Sequence, residues 1–201
     1  MTTTLVIQTE AVPVKVSLPT SQPMTRDEFY AFCKANPELR IERTATGEVI
    51  IMPPAFSDTG NRSFNLTAQL GIWTEEDGTG IGFDSSAGFT LPNGATLSPD
   101  ASWMKLEKWN TLTEEEKASF APICPDFVIE LRSASDTLRG LQAKMREYIE
   151  NGVSLAWLID RKNRTVHIYR PDQEPQILEN PNRVSGDPEL PGFSLPMAKI
   201  W

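Results

Sequence analysis

"CPDFVIELRSASDTLRGLQAKMREYIENGVSLAWLID", residues 124–160, reads as a strand, a helix and a second strand. Phe127, Val128, Ile129 and Leu131 form an apolar run of strand length and strand composition, opened by Pro125. From Ser135 or Asp136 as N-cap, a helix follows with Leu138, Leu141, Met145, Tyr148 and Ile149 on one face, stopped by Asn151-Gly152. "SLAWLID" is then an apolar strand, and beyond the turn "RKN" the alternating "RTVHIYRP" is another. The order strand, helix, strand, strand implies an α/β (α+β) class: one mixed β-sheet flanked by helices.

Glu130 interrupts the first of these strands. With a period of two, Val128, Glu130 and Arg132 share the face opposite Phe127, Ile129 and Leu131. Either Glu130 and Arg132 are a solvated pair on an antiparallel sheet, or that face lines a cleft where a strand holds a carboxylate rigidly enough to bind a metal.

Working outward, "MTRDEFYAFCKANPEL" opens with the capping box Thr25/Glu28 and predicts a helix over 25–35. "LRIERTATGEVIIMPP" predicts a hairpin turning at Gly47 and ending at Pro53-Pro54. "TGNRSFNLTAQLGIWTEEDG" predicts a helix packed on a sheet through Phe64, Leu66, Leu70, Ile72 and Trp73, ended by Gly78. "PNGA" is a turn between two short strands, and Asp100 falls where the second returns. "TLTEEEKASF" carries a further capping box, Thr113/Glu116. The turn-rich tail "VSGDPELPGFSLPMAKIW" supplies apolar residues that cover the sheet.

At 201 residues the chain is long enough for one domain with a sizeable core. Residues 1–23 read as an extended N-terminal arm, and 24–201 as the domain itself. The start lacks the basic head and apolar core of a secretory signal, and no transmembrane span is evident, which points to a cytoplasmic protein without membrane contact. Two cysteines without a CxxC motif and a single histidine, His167, exclude a disulfide framework and a Cys/His zinc site. The net charge of −8 counts against strong non-specific DNA binding, but not against a phosphodiesterase whose own carboxylates await cations.

Three groups carry the chemistry. Asp100 in "LSPDASW" and Glu130 can hold a hard cation through oxygen ligands, as magnesium requires. On a helical wheel Lys144 lies beside Leu141 and Tyr148 at the edge of the apolar stripe, where it either snorkels over the core or reaches a cleft at the sheet's end. Glu42 is a candidate additional metal contact. Arg132 stays protonated and cannot act as a general base, though it can pair with Glu130 or contact phosphate.

"SPDASW", "CPDFVIELRSASD", "LQAKMREYIENGV", "AWLID" and "VHIYRP", in this order, resemble the Uma-type restriction endonuclease family, a branch of the PD-(D/E)XK nuclease superfamily, from about Met24 to Trp201. The resemblance implies a restriction-endonuclease-like fold and magnesium-dependent hydrolysis of phosphodiester bonds in DNA, with manganese as a substitute metal. It implies Asp100 and Glu130 as the two acidic metal ligands, and a catalytic lysine moved from the position of Arg132 to Lys144. The expected partners are DNA and a second copy of the chain, since cutting both strands with one site per subunit calls for two subunits. An alternative reading is a catalytically inactive nuclease-fold module that binds DNA or protein. A two-carboxylate glycosidase is disfavoured, because no aromatic cluster for stacking a sugar can be assigned.

Overall fold

The computed structural model describes residues 14–16, 24–52 and 54–201. In chain order the elements are β1 (Val14–Val16), α1 (Arg26–Ala35), β2 (Arg40–Arg43), β3 (Val49–Met52), α2 (Ser57–Asp77), β4 (Gly80–Asp84), β5 (Phe89–Thr90), β6 (Thr96–Leu97) and β7 (Ala101–Lys105). There follow α3 (Leu106–Trp109), α4 (Glu114–Lys117), β8 (Phe127–Leu131), α5 (Leu138–Glu150), β9 (Leu155–Asp160), β10 (Thr165–Tyr169), β11 (Gln176–Glu179), β12 (Arg183–Ser185) and β13 (Ser194–Pro196). The expected arm over 1–23 lies outside the described residues apart from β1, and so does Pro53 of the expected Pro-Pro stop.

The α+β class is the one found, but the strands divide between sheets. The central sheet is mixed, in the order β11-β10-β9-β8-β7-β4, while β1-β3-β2-β6-β5 form an antiparallel second sheet and β12-β13 a small ribbon. Only β8 and β9 run parallel in the central sheet, because α5 carries the chain back between them; the other neighbours are antiparallel. Where β4 begins, Gly80 is required by contact: a Cβ there would sit 2.0 Å from the Trp103 ring.

Helices cover both faces of the central sheet. On one, Phe127, Ile129, Leu131, Trp157 and Ile159 pack with Leu66 and Leu70 of α2 and with Phe193, Leu195 and Ile200 of the tail. On the other, Val128, Ala156 and Leu158 meet Met145 and Tyr148 of α5. The solvated-face reading of β8 is therefore overturned: all five residues of the strand are buried.

Several local signals are realised as read. The capping boxes at Thr25/Glu28 and Thr113/Glu116 both form, and the turns at Gly47 and Gly94 adopt the positive φ that favours glycine. Two expectations are corrected. The N-cap of α5 is Thr137, whose hydroxyl accepts from Gly140 N–H, because Asp136 instead accepts from the backbone and hydroxyl of Ser133 and closes the loop. On α2, Phe64 and Ile72 face solvent, 71% and 54% exposed. Each sits two residues, about 200° of helical turn, from Leu66 or Leu70, so neither can share their buried stripe.

Candidate active site

The strand register explains why Asp100 and Glu130 meet. β7 and β8 pair with Ala101 opposite Ile129 and Ser102 opposite Val128. Continuing that register by one residue sets Asp100 opposite Glu130, with both side chains on the face covered by α5. The β8 backbone closes the pairing: Leu131 N–H donates to Asp100 Oδ2 at 2.8 Å.

Glu42 reaches the same place from the second sheet. The stretch Ser98-Pro99-Asp100 runs from β6 of the second sheet into β7 of the central sheet. Ser98 N–H donates to Glu42 Oε1 at 2.8 Å, which draws the β2 carboxylate to this junction. Two residues earlier on β2, and so on the same face, Arg40 brings NH2 to 3.6 Å from Asp100 Oδ1.

Lys144 descends from α5 between the glutamates. Its Nζ lies 2.9 Å from Glu42 Oε1 and 2.8 Å from Glu130 Oε1. One turn further along α5, the buried Tyr148 donates its hydroxyl to the same Glu130 Oε1 at 3.0 Å, and its ring centroid is 5.8 Å from Nζ. Lys144 thus does not snorkel to solvent over the core; its ammonium turns inward onto the two glutamates.

Residues 26–198 match the Uma2 family, described as "Putative restriction endonuclease". The chain belongs to the Uma2 family. Among solved structures it is similar to a crystal structure of "a putative nuclease belonging to DUF820" from Anabaena variabilis. That match has 22% sequence identity and a TM-score of 0.72 and covers 89% of this chain and 97% of the other, a likeness of fold. A search among curated proteins gives no match. No helix among the described residues is long and apolar enough to cross a membrane.

In this Uma2 chain the cluster is short of positive charge. Burial raises Asp100 above the usual carboxylate range, against the Leu131 hydrogen bond and the charges of Arg40 and Lys144. Burial likewise pushes Glu130 up to about 7; Lys144 opposes the rise, while Asp100 and Glu42 add to it. Burial alone would lower Lys144, but the carboxylates of Glu130 and Glu42 reverse the effect and hold its ammonium protonated above the ordinary lysine range.

The donor set fits a hard cation. Hydrogen bonds and the Lys144 contacts fall on Oε1 of each glutamate, while Asp100 takes the Leu131 N–H on Oδ2 and faces Arg40 with Oδ1. Among the described residues no group of three or more Asp, Glu, His or Cys side chains comes close enough to hold a metal on its own. Magnesium does not need such a cage, since one or two carboxylates with water and substrate phosphate commonly complete its six oxygens.

Arg132 stands apart. Its NH1 is 2.8 Å from Asp160 Oδ2 and its Nε donates to the Asp136 carbonyl, so the pairing with Glu130 that the sequence suggested is not formed. β8 ends at Leu131, and Arg132 leaves the strand toward the end of β9. His167 is buried with Nε2 3.3 Å from Thr165 Oγ1, in keeping with a structural role.

Sequence reasoning missed Arg40 and Tyr148 as members of the cluster. Both had a signal. Arg40 shares the β2 face of Glu42, and Tyr148 lies four residues after Lys144 on one side of α5, but each signal acquires meaning only once Glu42 and Lys144 are known to meet.

Proposed function

We propose that the chain is a divalent-metal-dependent endonuclease acting on DNA, with Asp100 and Glu130 as metal ligands. The observation that carries this reading is the meeting of two buried glutamates, Glu42 and Glu130, on the Lys144 ammonium at the junction of the two sheets, with Asp100 held by Leu131 N–H on the strand beside Glu130. Family membership supports it, because the family's description is "Putative restriction endonuclease".

A bound magnesium or manganese ion supplies Lewis-acid chemistry, lowering the pKa of a water and offsetting phosphate charge. The protein's own groups do the rest. Asp100 and Glu130 would hold the ion from two adjacent strands, and Leu131 N–H fixes one oxygen of the Asp100 carboxylate. Lys144 remains an ammonium in this environment, so its part is to orient the carboxylates and stabilise charge developing on the phosphate rather than to accept a proton. Glu42 anchors Lys144 from the second sheet. Arg40, a third exposed along its side chain and beside Asp100, suits a phosphate contact. Two copies, one for each strand of a duplex, complete the reading.

The test is nicking and linearisation of supercoiled plasmid with magnesium, manganese or EDTA, using wild type, Asp100→Ala and Glu130→Ala purified in parallel. Metal-dependent products from wild type are expected, with a loss of at least about 100-fold in either variant. Equal cleavage by wild type and both variants would refute the assignment. DNA or protein binding without turnover by the wild type would favour the non-catalytic alternative.

A further inference from the structure

Tyr148 is the polar group at this junction that the nuclease reading does not use. The ring is 1% exposed and packs in the core beneath α5 with Val128 and Leu158, yet its hydroxyl emerges at Glu130 Oε1. A buried phenol needs a partner, and one of the nearby carboxylates would satisfy that need in any orientation. Here the chosen oxygen is the one Lys144 already holds, at 2.8 Å from Nζ and 3.0 Å from the phenol oxygen.

The terminal torsion of a glutamate is soft, so a carboxylate held by one donor swings readily about it. Two donors arriving on one oxygen, from successive turns of a single helix, remove that freedom and leave Oε2 outside both contacts. We propose that Tyr148 is a positioning residue: with Lys144 it pins Glu130 Oε1, so that the other oxygen is presented to a divalent cation, and it thereby sets the affinity for that cation. The inference rests on the nuclease reading above, and concerns a residue that touches neither the ion nor DNA. Groups that orient metal ligands in this way commonly change metal affinity 10- to 100-fold when removed.

The experiment is Mn2+ binding by calorimetry, in the absence of DNA, to wild type, Tyr148→Phe and Glu130→Ala, with the thermal midpoint of each measured with and without Mn2+. Tyr148→Phe keeps the ring and is expected to weaken Mn2+ binding about tenfold. The rise in midpoint that Mn2+ produces should shrink to match. Plasmid cleavage by the variant should recover when Mn2+ is raised by the same factor, with the KM for DNA unchanged.

Wild-type Mn2+ affinity in Tyr148→Phe, alongside lost binding in Glu130→Ala, would overturn the role of Tyr148 and leave the nuclease reading intact. Unaltered binding in Glu130→Ala would overturn the metal assignment itself. A second readout uses folded wild type alone. The chain has three tyrosines, so 3-fluorotyrosine labelling gives few 19F resonances. The Tyr148 resonance should move during a titration with diamagnetic Mg2+, at the midpoint found by calorimetry with Mg2+, and a resonance that stays still would also count against the proposal.

Discussion

The two faces of β8 are made from alternate residues of one five-residue strand, and they follow opposite rules. Phe127, Ile129 and Leu131 face an aromatic layer in which Trp157 stacks on Phe193 at 5.6 Å between centroids and Phe127 meets Trp157 edge-on at 4.9 Å. Val128 and Glu130 face α5, where an apolar packing gives way within one residue step to a network of carboxylates, ammonium and phenol. The first face holds the sheet together through area and shape. The second tolerates charge because every ionic group there has a partner aimed at it by a different element.

The difference can be pressed from both sides. The largest effect on stability is expected from the dry face: Phe127→Ala should lower the unfolding free energy by about 3–5 kcal/mol in a urea titration. A loss near 1 kcal/mol would mean that the layer collapses to fill the gap and that shape matters less than supposed. Lys144→Met keeps the volume but strands Glu42 and Glu130 as buried acids without their shared cation. It should cost about 3 kcal/mol at pH 8. Much of that cost should be relieved near pH 5, where Glu130 can protonate. A pH-independent cost would assign the lysine to packing instead.

The smallest effect is in the wild type. Because the folded-state pKa of Glu130 is raised to about 7 from 4.5, the folded chain holds a proton that the unfolded chain has released between those values. The stabilisation is therefore complete below about pH 4.5 and is lost as the pH rises through about 7, with an upper bound of roughly 3 kcal/mol. Glu130→Gln should flatten the decline over that window, measured as the urea midpoint against pH. An unchanged slope would show that another group is responsible.

What was legible in the sequence was whatever is decided within a few residues. The capping boxes at Thr25 and Thr113, the left-handed glycines and the strand–helix–strand order need only local geometry. So does the position of Lys144 at the edge of its helical stripe. The α5 cap was misplaced because Ser135, Asp136 and Thr137 are all competent, and the choice among them depends on Asp136 turning back to Ser133. Phe64 and Ile72 were grouped with the buried stripe of α2 on apolarity alone, although their angular offset from Leu66 already placed them elsewhere.

The site was legible in its parts. Asp100, Glu130, Lys144 and Glu42 were each singled out, but their mutual contacts depend on how the second sheet meets the central one, and no local pattern encodes that. The Glu42–Lys144 contact spans 102 residues of chain. Arg132 shows the same gap: its charge was read correctly, and its partner, Asp160 at the end of the next strand, was not.

The junction at Ser98-Pro99-Asp100 also bears on how the protein is born. Glu42 and Asp100 leave the ribosome before Glu130, and Lys144 later still, so no emerging fragment that stops short of α5 contains the complete cluster. The four side chains meet only when two sheets and a helix have closed upon one another. During synthesis, and in any partly opened state that separates the sheets, the chain carries these charged side chains without the contacts that pair them.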